Sequence, residues 1–115
     1  METRTIPEDQ WTEYFSQLNH DFAGWAASIR VLHGVYGPQS VARNLPFGGI
    51  SFDTKSARFS NVQISVGDQP GQHINHVIDL PLYIRQTTEP NGSIDVQIEP
   101  ANGPVTLIHL RGPVH

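Results

Sequence analysis

The stretch LYIRQTTEPNGSIDVQIEPANGPVTLIHLR (residues 82–111) decides the fold of this 115-residue chain. It contains three runs in which apolar and polar residues alternate, separated by the short breaks EPNG and PANGP. An Asn-Gly pair between two alternating runs is the strongest local signal for a β-hairpin. The sequence therefore predicts a three-stranded antiparallel meander at this end, with Ile94, Val96 and Ile98 buried in its middle strand.

The same period-two alternation recurs upstream of the meander. Val62, Ile64 and Val66, for example, alternate with polar residues, as expected for a half-buried strand. Strands are predicted in five upstream segments, with a break at PFGG: residues 25–32, 41–45, 50–54, 59–67 and 73–80. Such short connections leave no room for crossover helices, so a sheet of seven or eight antiparallel strands is expected.

One segment, at about residues 7–19, has helical periodicity instead. Trp11, Tyr14, Phe15 and Leu18 are spaced to share one face of an α-helix. Thr5 and Glu8 have the spacing of a capping box, and Asn19 is a plausible stop. The aromatic stripe could dock a partner, but covering the domain's own core is the favoured interpretation.

These elements predict a mainly β (α+β) fold. One N-terminal amphipathic helix leads into antiparallel strands that form a small barrel or a two-layer roll. No linker and no repeat of fixed period interrupts the chain, so a single domain over residues 1–115 is expected, with its β part at about 24–112.

Composition excludes several functions. The chain has no cysteine, which removes disulfides, thiolate metal sites and thiol nucleophiles. The polar N-terminus and the lack of a long apolar run predict a soluble, cytoplasmic protein with no membrane contact. Seven basic residues against eleven acidic ones, with the arginines scattered along the chain, argue against nucleic-acid binding.

Motifs of known chemistry are missing. The chain contains no phosphate-binding loop, no dinucleotide fingerprint, no nucleophile elbow and no H-E-x-x-H. His20, His33, His109 and His115 have no ligand-like spacing, so core or edge roles are favoured for them. No cofactor and no catalytic residue are expected.

The pair His73 and His76 is the one arrangement that suggests a metal site. Their segment is rich in β-branched residues and is predicted to be a strand, in which residues three apart point to opposite faces. We therefore expect no metal there. His76 would join the apolar face, either as a hydrogen-bonded structural residue or as a polar group in a ligand cavity that Tyr83 or Trp25 also lines. His73 with Asp79 is a weaker acid–base candidate on the exposed face.

The chain also resembles a known family. The blocks RTIPEDQWTEYF, GWAASIRVL, LPFGGISFD, VQISVG, HINHVIDLPLYI and IEPANGPVTLIHL occur in the order seen in a family of short bacterial proteins of unknown function, domain-of-unknown-function family 5335. The resemblance covers essentially the whole chain. It implies a stand-alone domain and supplies no activity, substrate or catalytic residues.

Three hypotheses for the function follow. The favoured one is a non-catalytic β-domain that binds a protein partner or itself, because motifs are lacking and strand edges invite pairing. The second is a small-ligand or sensory barrel with His76 in or near its cavity. The third, an enzyme with a polar site around His73 and Asp79, has the least support.

Overall fold

The structure is a computed structural model that describes residues 1–54 and 59–112. One turn of 3₁₀ helix, Glu8–Gln10, precedes the α-helix. In chain order the elements are β1 (Glu2–Ile6), α1 (Trp11–Asp21), β2 (Ala26–His33), β3 (Gly37–Thr54), β4 (Ser60–Val66), β5 (Ile74–Asp79), β6 (Pro81–Thr88), β7 (Ile94–Pro100) and β8 (Val105–Arg111).

The strands form one antiparallel sheet in the spatial order β1-β6-β7-β8-β2-β3-β4-β5. The 18-residue β3 joins its two halves, because its first part pairs with β2 and its last part, from Phe47 onward, pairs with β4. The sheet is not closed into a barrel. It bends back on itself so that His76 in β5 reaches Thr106 in β8, as in a roll. The predicted mainly β fold with an N-terminal helix is confirmed.

The predicted C-terminal meander is confirmed as β6-β7-β8. Its middle strand faces Ile84 of β6 on one side and Ile108 of β8 on the other. Ile94, Val96 and Ile98 are at most 2% exposed. Alternation places these three on the inner face, where burial of their apolar area contributes about 1.5–3 kcal/mol each.

Helix α1 covers the inner face of the sheet. Its four predicted core residues, Trp11, Tyr14, Phe15 and Leu18, are all buried. The Trp11 ring meets Phe52 edge-on at 5.2 Å between centroids, and its Nε1 donates a hydrogen bond to the Ile6 carbonyl at 2.9 Å. Within the described part of the chain, no helix has the length and apolarity needed to cross a membrane.

The ends of α1 differ from the prediction. Thr5 lies in β1, and no side chain caps the helix, so the predicted capping box of Thr5 and Glu8 is wrong. Asn19 does not end the helix, which continues to Asp21. Its side chain instead donates to the Ile50 carbonyl at 2.9 Å and accepts from the Ile50 N–H at 2.7 Å. This pair of bonds fastens α1 to β3.

Two further differences concern strands. β1 was not predicted, because residues 2–5 are all exposed and polar and show no apolar alternation; its pairing with β6 is a long-range contact. The predicted strands at 41–45 and 50–54 are one strand with a bulge between Phe47 and Gly49. Gly49 has φ +155°, a conformation that favours glycine, so PFGG bends the strand without ending it.

Candidate functional site at the bend between β5 and β6

His76 lies on β5, at one end of the sheet, with its side chain towards the interior. Its ring is half-buried, and Nε2 lies 3.3 Å from the Thr106 hydroxyl oxygen. Burial lowers the pKa of His76 below the ordinary imidazole value, because the charged form loses water. The structure thus places on the inner face a histidine that is easier to keep neutral than a free one.

His73 lies just before β5 and is exposed. Its Nδ1 is 3.5 Å from the Gly67 carbonyl oxygen, and no contact joins its ring to His76 in the described residues. Across residues 1–54 and 59–112, no three His, Asp or Glu side chains converge as a metal-binding group. The two histidines are neighbours in sequence, but their side chains make contacts with different parts of the fold.

Asp79 and Tyr83, the other predicted site residues, lie on either side of the bend and are both exposed. Asp79 and His76 line the same groove, about 200 Å³ in volume, with Pro100, Pro104 and Thr106. His73 and Tyr83 do not line this groove. The described residues show no hydrogen bond or ion pair between His73 and Asp79. The structure therefore brings together two of the four predicted residues.

The bend itself contains a strained residue. Leu80 has φ +51°, which costs a residue with a Cβ atom about 1–2 kcal/mol. Its N–H donates to the Ser60 carbonyl at 2.9 Å, and its carbonyl accepts from the Ala101 N–H at 2.8 Å. These two bonds hold Leu80 between the start of β4 and the β7–β8 turn. The chain can therefore pass from one half of the sheet to the other within a single residue.

Exposed apolar side chains flank Leu80 and its hydrogen-bond partner Ser60 along the chain. Seven large hydrophobic residues are exposed in the described chain, and four of them lie here. Phe59 precedes Ser60, the hydrogen-bond partner of Leu80; the other three lie within three residues of Leu80 along the chain. We call these four residues the apolar corner: Phe59 (69% exposed), Val77 (46%), Leu82 (52%) and Tyr83 (52%).

The sequence reasoning missed a polar pair on the outer face of the meander. Asp95 Oδ1 lies 2.8 Å from His109 Nδ1, and the two residues are direct partners in the β7–β8 register. Both are equally far from Asn102 in the turn, so counting outwards from that turn would have found the pair. Ser28 is the partner of His109 on β2, but its hydroxyl donates to Asn44 at 3.4 Å. The pair therefore joins β7 to β8, and the Ser28 hydroxyl is not hydrogen-bonded to His109.

Comparison with known proteins supports the family resemblance. No curated protein and no solved structure matches the chain. A family model described as "Family of unknown function (DUF5335)" matches residues 2–115, which is nearly the full length. The resemblance carried by the sequence blocks is thereby confirmed, and the chain belongs to the DUF5335 family of unknown function.

Proposed function

We propose that this chain is a non-catalytic protein-interaction module whose binding surface is the apolar corner. The observation that carries the proposal is the gathering of four exposed apolar side chains at one bend. Several exposed apolar side chains close to one bend are more typical of interaction sites than single scattered ones. Leu80 supports it as well, because strained backbone is often found where a protein binds its ligand.

The charge around the corner favours a partner with basic groups next to an apolar patch. Asp79 of β5 borders the corner. Asp53 of β3 lies on the same line across the sheet, because Asn61 of β4 pairs with both residues. The whole chain has a net charge of −4, so two copies repel each other. A second copy is therefore a less favoured partner than a protein with a basic surface, which the acidic chain would attract.

The alternative is a small-ligand barrel with His76 in or near its cavity. Its support is the half-buried His76 beside Thr106, in a groove shared with Asp79. That groove holds about 200 Å³, whereas ligand pockets usually hold roughly 300–1,000 Å³. We therefore favour the interaction module.

The test selects binding peptides from a random phage-displayed library on the immobilised protein. Two double variants are compared with the wild type: Leu82→Ser with Tyr83→Ser at the corner, and Val35→Ser with Tyr36→Ser as the matched control. The control pair also joins an aliphatic residue to a tyrosine and is more exposed, at 87% and 75%, but lies in the β2–β3 turn. Selected peptides should combine apolar and basic residues and lose binding to the corner variant alone.

Two results would overturn the proposal. Peptides that bind the corner variant as well as the wild type would show that the corner is not the binding surface. A dimer in light scattering that the corner variant converts to monomer would mean that a second copy, and not a basic partner, occupies the corner.

A further inference from the structure

Another hollow lies between α1 and the strands β1 and β6, and none of the corner residues lines it. It measures about 530 Å³, within the range usual for ligand pockets. Its apolar wall consists of the partly exposed Phe22, with Ile6 and Leu18, each only 3% exposed, packed beside it. Charged side chains of both signs also line it, so the cleft combines an apolar surface with polar groups that could orient a ligand.

The floor of this cleft is a connected polar network built from three elements. Tyr14 of α1 is 8% exposed, and its hydroxyl donates to the Gln86 side-chain carbonyl of β6 at 2.6 Å. The Gln86 amide nitrogen donates in turn to the Thr88 hydroxyl at 3.1 Å. The Arg4 guanidinium of β1 lies over the Tyr14 ring, 5.6 Å from its centroid. Tyr14 and Gln86 are thus held in place before any ligand arrives.

Burial makes the proton of the Tyr14 hydroxyl harder to remove than that of a free tyrosine. Loss of water around the ring raises the pKa of Tyr14 well above its usual value, and Arg4 only partly offsets the effect. The phenol therefore stays a hydrogen-bond donor to Gln86 and contributes no charge to the cleft. The charge of the lining comes from Arg4, Glu13 and Asp21.

The charged groups of the cleft differ in whether a neighbouring side chain already binds them. Arg4 makes no ion pair with a carboxylate within the described part of the chain, although two carboxylates line the same cleft. Asp21 is occupied, because its Oδ1 accepts from Gln17 at 3.0 Å and lies 3.0 Å from His20 Nδ1. Glu13 has no such partner among the described side chains. One cation and one carboxylate thus remain available to a ligand.

These charges select among ligand types. A simple anion would be attracted by Arg4 but repelled by the two carboxylates, whereas a simple cation would be attracted by the carboxylates but would leave Arg4 without a partner. A molecule that carries both charges close together satisfies both groups. We propose that this cleft binds a small zwitterion with an apolar side chain, the chemistry of a free α-amino acid. Arg4 binds its carboxylate, Glu13 its ammonium, and the wall of Ile6, Leu18 and Phe22 its side chain.

Three probes test the proposal by capping one charge at a time: L-phenylalanine, N-acetyl-L-phenylalanine and L-phenylalaninamide. Binding is followed by the indole N–H signals of the two tryptophans in NMR. Trp11 donates to the carbonyl of Ile6, and Trp25 packs on Phe22 at 4.6 Å between centroids. L-phenylalanine should give saturable shifts, and each capped probe should bind about tenfold more weakly, since a charge-assisted contact is lost.

Variants assign each charge to its residue. Arg4→Gln should weaken the binding of L-phenylalanine about tenfold. It should not weaken the binding of L-phenylalaninamide further, because that probe has no carboxylate for Arg4 to bind. Glu13→Gln should weaken the binding of L-phenylalanine but not that of N-acetyl-L-phenylalanine, because the acetylated probe has no ammonium for Glu13 to bind. Arg85→Gln is the matched control, because Arg85 precedes Gln86 on β6 and is exposed on the opposite face. Its affinities should equal those of the wild type.

The proposal is overturned if L-phenylalanine causes no saturable shift, or if the capped probes bind as well as it does. Equal losses in Arg4→Gln and Arg85→Gln would also overturn it, because they would reflect the net charge of the protein and not the cleft. The corner variant Leu82→Ser with Tyr83→Ser should leave these affinities unchanged, so the cleft and the apolar corner are tested independently.

Discussion

The ring of His76 spans the open side of the roll: its Nε2 atom lies 3.3 Å from Oγ1 of Thr106, thirty positions later in the chain. Thr106 is 2% exposed, so its hydroxyl depends on protein partners. β5 is the last strand of the sheet and pairs only with β4. The contact therefore holds this terminal strand against β8. It keeps the imidazole of His76 half-buried.

This environment predicts a pH dependence of stability. The pKa of His76 is lowered on folding, so the unfolded chain takes up the proton first as the pH falls. The free energy of unfolding should therefore decrease as the pH drops through the unfolded imidazole pKa of about 6.5. Urea unfolding at about pH 7.5 and about pH 5.5 should show a smaller decrease in His76→Gln than in the wild type.

His73→Gln is the control for that experiment, because His73 is exposed and three residues away. Its decrease should equal that of the wild type. If His76→Gln retains the full decrease, the half-buried imidazole does not contribute to the pH dependence.

A second prediction concerns the hydrogen bond that joins α1 to β6. Tyr14→Phe leaves the Gln86 carbonyl oxygen without its 2.6 Å donor in a partly buried place. The free energy of unfolding should fall by about 1–2 kcal/mol. Tyr83→Phe removes the same hydroxyl from a ring that is 52% exposed and should change it by less than about 0.5 kcal/mol. Equal losses, measured by chemical denaturation, would contradict a structural role for the Tyr14 hydroxyl.

A third prediction concerns the middle strand of the meander. Val96 is fully buried, and Val96→Asp would place an unpaired carboxylate there. The cost of several kcal/mol is about the whole stability of a small domain, so the variant should be unfolded. Gln97→Asp introduces the same group on the outer face, opposite Arg85, and should stay folded. A Val96→Asp protein with an unchanged melting temperature in circular dichroism would contradict the burial.

A fourth prediction concerns metal binding by His73 and His76. Zinc needs ligand atoms within about 2.1 Å of one ion, and the two rings make contacts in different places, at Gly67 and Thr106. Calorimetry on tag-free protein at neutral pH should show no zinc binding tighter than about micromolar. Tight binding lost in both His73→Ala and His76→Ala would show that the segment turns back on itself.

Local patterns were enough to predict most elements of this fold. The period of two in residues 94–98, the Asn-Gly breaks and the helical spacing from Trp11 to Leu18 each depend on neighbours within one element. The same patterns correctly assigned His76 to the inner face. They failed for β1, whose polar residues 2–5 pair with β6 about eighty positions away. They also failed at PFGG, where a bulge and a strand break have the same glycine-rich composition.

The sequence by itself determined which side chains of the meander and of the helix are buried, because burial there follows from alternation along each strand and from spacing along one helix face. The short turn between β7 and β8 restricts the register of these strands, but the pairing of Asp95 with His109 became apparent only in the structure. The tertiary structure alone decided which distant residues meet. The apolar corner, the contact of His76 with Thr106 and the cleft of Arg4, Tyr14 and Gln86 all arise where separate elements are brought together. Their contacts depend on how the sheet curls, and curling is a property of all its strands that no local pattern encodes.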